Sequence, residues 1–125
     1  MIEKGKKALG ALGEEYGCQY LESIGHRILE RNWQGGHLEI DIVSEAADGV
    51  HFVEVKSRTA PLEAAPEENV TRPKQMKITR AAARYLRERH REGNVEVFFD
   101  ILTVVFDGGK TDIRYFPQAW IPLYI

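Results

Sequence analysis

Two short segments, residues 38–44 and 50–57, alternate apolar with polar or charged side chains, and Asp48-Gly49 lies between them. A period of two is the pattern of an extended strand, because successive side chains point to opposite faces. Asp-Gly between two such segments signals a tight hairpin, so the strands are expected to be antiparallel neighbours. On the first, Leu38, Ile40 and Ile42 fall on one face and Glu39, Asp41 and Val43 on the other. On the second, Phe52, Glu54 and Lys56 share a face opposite His51, Val53 and Val55. Such a hairpin brings Asp41 and Glu54 close across the ladder. The chain is thereby committed to a sheet with two or three carboxylates and one amine on a single patch.

Like-charged carboxylates at close range repel, so a sheet holds them only with compensation. A hard divalent cation such as Mg²⁺ supplies it and takes oxygen ligands. A neighbouring lysine can orient or deprotonate a water, or stabilise a pentacovalent phosphate, which makes a workable hydrolytic site for a phosphodiester. Glu-x-Lys alone carries little information, but Glu39-Ile40-Asp41 one hairpin upstream sharpens it. The competing reading is a solvated face of alternating charges, with Lys56 in ordinary cross-strand ion pairs.

The remaining segments supply the frame. Leu9, Leu12, Tyr16, Tyr20 and Ile24 recur at helical spacing, so a first helix is expected over about residues 8–24, with Gly25 ending it. Gly10, Gly13 and Gly17 are costly in a helix and point to close backbone approach, to the sheet or to a ligand. That draws attention to Glu14 beside them. A strand is expected around Ile28, and a second helix from Thr71-Arg72-Pro73 to about residue 92. Val95 to Phe106 reads as the longest strand, followed by a last one around Ile113 and Tyr115. Residues 58–70, with Pro61 and Pro66, read as a mobile loop, and 117–125 as an apolar tail that packs down. The order α-β-β-β-α-β-β predicts an α/β fold, a mixed central sheet flanked by helices, in one domain over residues 1–125.

Charge is distributed unevenly. Residues 71–92 hold eight basic and two acidic side chains, although the whole chain carries a net charge of −2. Lys74, Lys77, Arg80, Arg84, Arg87 and Arg91 fall within an arc of about 140° on a helical projection. A one-sided basic stripe is how an acidic protein can still hold a nucleic acid, although a solvated helix face is the plainer explanation. Cys18, the only cysteine, excludes an internal disulfide framework. The absence of a long apolar run and of a signal-peptide pattern predicts a cytoplasmic protein without a membrane partner. The four histidines share no metal-ligand spacing; His37, beside the carboxylate strand, is a candidate to touch substrate, although a surface or loop histidine is the plainer reading.

Gly13-Glu14, Glu39-Ile40-Asp41, Phe52-Val53-Glu54-Val55-Lys56-Ser57-Arg58, Lys74-Gln75 and Phe99-Asp100-Ile101 occur in that order. In these residues, over roughly Gly10 to Ile101, the chain resembles the YraN family of bacterial proteins. That family is similar to archaeal Holliday-junction resolvases and carries the restriction-endonuclease-like fold, also described as tRNA-endonuclease-like. The resemblance implies that Glu14 is the helix carboxylate, Asp41 the principal metal ligand, Glu54 the second ligand and Lys56 the catalytic lysine. Glu39 is an additional candidate. The family's pattern has glycine where this chain has Leu38, a departure that concerns the backbone before Glu39.

These readings combine into one expectation: a Mg²⁺- or Mn²⁺-dependent endonuclease acting on DNA, branched or otherwise structured. Water would attack the phosphodiester with Lys56 assisting. Arg58, Lys74, Lys77, Arg80, Arg84, Arg87 and Arg91 would hold the nucleic acid, and a homodimer is a further expectation. The alternative is a nucleic-acid-binding module of the same fold with little or no hydrolytic activity.

Overall fold

A computed structural model describes residues 2–61 and 70–122. The elements follow the expected order: helix α1 (Ile2–Ser23), strands β1 (Arg27–Gly35), β2 (Leu38–Ala46) and β3 (Gly49–Thr59), helix α2 (Arg72–Glu88), and strands β4 (Val97–Asp107) and β5 (Lys110–Trp120). The strands form one mixed sheet in sequence order. Neighbours are antiparallel except β3 and β4, which run parallel. A parallel pair needs a crossover, and α2 provides it.

The two helices lie on opposite faces. On the α1 side, Cys18 and Leu21 pack with Ile42, Val53, Leu102 and Val104. On the α2 side, Ile78, Ala81, Tyr85 and Leu86 pack with Phe52 and Phe99. A strand covered on both faces has no solvent side, so its sequence reads as a continuous apolar run instead of an alternation. That is why β4 is buried without a break from Phe99 to Val105.

Several expected boundaries shift. Helix α1 begins at Ile2, well before residue 8, and α2 ends at Glu88 instead of 92. Gly25 follows α1 at φ 98°, as a left-handed terminator. Arg58 and Thr59 belong to β3 instead of a loop, and Ala60 N–H still donates to Phe106 O at 2.8 Å. Of the expected mobile loop, residues 62–69 lie outside the described residues, and Val70 is buried in the α2-side core. Residues 117–120 of the expected tail complete β5, where Trp120 stacks on Phe99 with ring centroids 4.3 Å apart. Residues 123–125 lie outside the described residues. No helix among the described residues is long and apolar enough to cross a membrane.

The facing of β2 needs one correction that matters for the site. Ile40 and Ile42 do not share a face: Ile40 belongs to the α2-side core and Ile42 to the α1-side core. In the ladder, Trp33 pairs with Ile40 and Arg31 with Ile42, which sets Asn32 opposite Asp41. Asn32 is left-handed, at φ 50°. A left-handed residue re-aims the strand around it, so the simple alternation slips at Asn32 and Asp41.

Candidate active site

Strands β2 and β3 pair from the turn up to Ile42 and Val53 and then part. At the parting, Asp41 Oδ2 accepts the Val55 backbone N–H at 2.9 Å. A side-chain carboxylate thus takes the place of the next strand carbonyl, which satisfies a buried amide and fixes the carboxylate. Glu54 lies beside it in the same cleft, near enough for each carboxyl to bear on the charge of the other. An open cleft of about 680 Å³ lies here, at one end of the sheet. Glu14, Glu39, Asp41, Glu54, Ser57 and Lys74 are among its lining, and both helices reach it.

Helix α1 delivers Glu14 through a close approach to β3. A Cβ on Gly13 would lie 1.8 Å from Ser57 Oγ and 3.0 Å from Ser57 Cβ, so no other residue fits without movement. A Cβ on Gly17 would lie 3.3 Å from Ile42 Cδ1, whereas one on Gly10 meets nothing. Of the four glycines of α1, Gly13 and Gly17 therefore serve packing against the sheet. Glu14 accepts a hydrogen bond from Asn32 Nδ2 at 2.7 Å, and Glu15 pairs with Arg31 at 2.7 Å. The slipped residue of β1 thus anchors the helix carboxylate. Ser57 Oγ is buried and, among the described residues, has no hydrogen-bond partner.

The electrostatics follow from burial and crowding. Burial raises Glu54 first and the field of Asp41 adds to it, pushing its carboxyl up to about 7. Burial also raises Asp41, against the hydrogen bond from Val55 and the field of Lys74. Glu14 is raised by burial, opposed by Asn32 and reinforced by the fields of Asp41 and Glu39. Three raised carboxyls near one another indicate a site short of positive charge.

Two lysines bear on the pair. Lys56 is near enough for its charge to favour ionised Glu54, but Lys74 weighs more in that balance. Lys74 lines the cleft, with Nζ 3.4 Å from Glu54 Oε1, and Lys56 is not among the lining residues. On sequence alone, Lys74 belongs only to the basic stripe. The missed signal is its position in the first turn of α2, where the helix dipole disfavours a cation.

The stripe itself divides. Lys77, Arg80 and Arg87 are exposed and, among the described residues, have no ion-pair partner. Arg84 pairs with Glu88 at 3.0 Å and Arg91 with Glu45 at 2.6 Å. Arg89, at the helix end, pairs with Glu30 at 2.5 Å and lies over the Tyr85 ring at 3.8 Å. Arg58 lines the cleft and donates to Ser57 O at 2.8 Å. His37 is exposed at the turn between β1 and β2.

As to a metal, the contact between Asp41 and Glu54 presents hard oxygen donors that are short of positive charge. Mg²⁺ commonly takes one or two carboxylates and keeps its waters, so these two residues fit it. As placed, no three His, Cys, Asp or Glu side chains among the described residues converge on one metal position.

Fold and site together define an α/β protein with an acidic, lysine-bearing cleft where two strands of its sheet part. The sequence model described as "Uncharacterised protein family UPF0102" matches residues 13–104, and the chain belongs to this family, the YraN family. It is 40% identical over 114 residues to a UPF0102 protein of Bacteroides thetaiotaomicron, covering 91% of this chain and 93% of that one. A UPF0102 protein of Syntrophomonas wolfei is 38% identical over 114 residues, covering 91% and 98%. One of Trichlorobacter lovleyi is 36% identical over 122 residues, covering 96% and 95%.

Proposed function

We propose that this protein is a divalent-cation-dependent endonuclease that hydrolyses phosphodiester bonds in DNA, branched or otherwise structured. The observation that carries the reading is the meeting of half-buried Asp41 and Glu54 in one cleft at the parting of β2 and β3. Asp41 and Glu54 would hold Mg²⁺ or Mn²⁺, with Glu14 approaching from α1. The chemistry such a cation would supply there is polarisation of a phosphoryl oxygen and a lowered proton affinity of a neighbouring water. Arg58 and Lys74 line the cleft and provide positive charge for the phosphate around the scissile bond. Lys77, Arg80 and Arg87 continue the positive charge along α2 for the flanking backbone. Lys56, whose charge favours ionised Glu54, would keep that carboxylate available as a ligand. The likeness to the junction-resolvase group supports a structured substrate.

A second reading, a binding module without hydrolysis, is favoured by the lack of a third converging ligand among the described residues and by the tether of Glu14 to Asn32. Cleavage assays separate them. Duplex, single-stranded and four-way-junction DNA are incubated with Mg²⁺, Mn²⁺ or chelator. Metal-dependent cleavage that is lost in Glu54→Gln supports the nuclease. Binding without cleavage, equal in metal and chelator, supports the module.

A further inference from the structure

Helix α2 opens with Arg72-Pro73-Lys74, has no acidic residue in its first turn, and its N-cap Thr71 makes no side-chain cap hydrogen bond. The N-terminal end of a helix carries partial positive charge, so acidic side chains are stabilising there and cations are not. Nothing local to the helix accounts for Lys74. What accounts for it is the cleft: its ammonium is 3.4 Å from Glu54 Oε1, and the Glu54 side chain is only 17% exposed. A carboxylate that is this buried needs a positive partner. The contact is nevertheless looser than a close ion pair of about 2.7–2.9 Å, and 48% of the Lys74 side chain is exposed. A lysine with its stem on the surface and only its tip in the site can withdraw into water without disturbing the core.

We propose that Lys74 is a built-in, displaceable counter-cation of the Asp41–Glu54 pair, and that it competes with a divalent cation for these two carboxylates. This rests on the metal-dependent reading of the same cleft. A divalent ion against Asp41 and Glu54 would face the ammonium across a few ångströms, in a partly buried site where like charges repel strongly. The ion therefore binds as Lys74 leaves Glu54. The released ammonium stays tethered at the rim, between the cleft and Lys77, where a backbone phosphate can take it.

The test is calorimetric titration with Mn²⁺ alone, without nucleic acid, into the parent, Lys74→Gln, Lys74→Arg and Lys77→Gln. Thermal melts confirm that each protein is folded. Removing the competing charge should make Lys74→Gln bind Mn²⁺ about tenfold more tightly. Lys74→Arg, which keeps the charge, should stay within about threefold of the parent. Lys77→Gln, one helical turn further on, should stay within about twofold, because a charge outside the cleft is screened. Equal or weaker binding by folded Lys74→Gln overturns the competition and leaves the metal site standing. A similar gain in Lys77→Gln also overturns it, since the effect would then be general charge. Failure of all four proteins to bind Mn²⁺ overturns both the competition and the metal-dependent reading.

Discussion

At the scale of single residues, two contacts govern the cleft. The first is the meeting of Asp41 and Glu54 at the parting of β2 and β3. Glu54 titrates near 7 in the fold, far above an ordinary glutamate near 4.5. A folded-state value raised in this way gives stability that is present below about 4.5 and is lost as pH rises through about 7. Urea midpoints in chelator should therefore fall between pH 5 and pH 8. Asp41→Asn should flatten that fall, because the amide oxygen can still accept from Val55 while the repelling charge is gone. A network of ordinary surface ion pairs gives the opposite result, with the parent gaining stability above pH 4 and the variant losing it. The second contact is Gly13 on Ser57. Gly13→Ala drives a methyl group to within 1.8 Å of Ser57 Oγ and should cost about 1–3 kcal/mol by overpacking. Ser57→Gly in the same chain should recover part of that loss. Full stability of Gly13→Ala alone would mean that α1 does not press on β3 at this point.

At the scale of elements, α2 divides its labour by position along its length. Its first turn puts Lys74 in the acidic cleft, Lys77 and Arg80 after it and Arg87 in the last turn are left open, and beyond the helix Arg89 and Arg91 are tied to Glu30 and Glu45. The open trio is the part free to meet phosphates. Changing Lys77, Arg80 and Arg87 together to glutamine should weaken DNA binding and flatten its salt dependence, by about 0.9 in slope for each phosphate no longer neutralised. The same change at Arg89 and Arg91 should instead lower stability and leave the slope nearly as it was. Filter binding over a salt series, with melts of the free proteins, reads both. An unchanged slope in the first variant would reduce the stripe to a solvated face. Sequence alone offers no means of separating Arg91 from the open trio, because these residues share one arc of a helical projection. Only the placement of β1 and β2 beside the helix end shows which ones find carboxylates.

At the scale of the whole molecule, the far end of the sheet from the cleft is held by a buried polar network. Asp100 is fully buried on β4; it accepts from Tyr115 Oη on β5 and from the Gln118 N–H at 2.9 Å, and faces His51 Nδ1 on β3 at 2.6 Å. His51 Nε2 lies 2.8 Å from Asp48, so both ring nitrogens face carboxylates and both donate when the ring is charged. Burial opposes that charge, but Asp100 and Asp48 outweigh it and raise His51 above its ordinary value near 6.5. Its contribution is therefore complete below about 6.5 and is lost as pH rises through the raised value. This loss persists in Asp41→Asn and should vanish in His51→Gln, which separates it from the loss at Glu54. Asp100→Ala strands the imidazolium, a phenol and a backbone N–H at once and should cost about 3–5 kcal/mol. A cost under about 1 kcal/mol in denaturant melts would show that the network does not tie these strands together.

Much of this architecture was legible in the residues themselves. Period-two alternation about Asp48-Gly49 is a local property of the chain, and it marked the hairpin and the nearness of Asp41 to Glu54. The helical spacings, the glycine after α1 and the largely apolar run of β4, interrupted by Asp100 and Thr103, are local as well, and they determined the element order and the α/β class. What needed tertiary structure was everything that depends on a neighbour distant in sequence. The slip at Asp41 comes from left-handed Asn32 on the adjoining strand, so alternation alone put Ile40 and Ile42 on one face. The closeness of Lys74 to Glu54 comes from α2 folding back across the sheet, twenty residues after the carboxylate it meets. Local patterning specifies which way a side chain faces on its own element; it says nothing about which other element will lie against that face, and the chemistry of this cleft is made by that second choice.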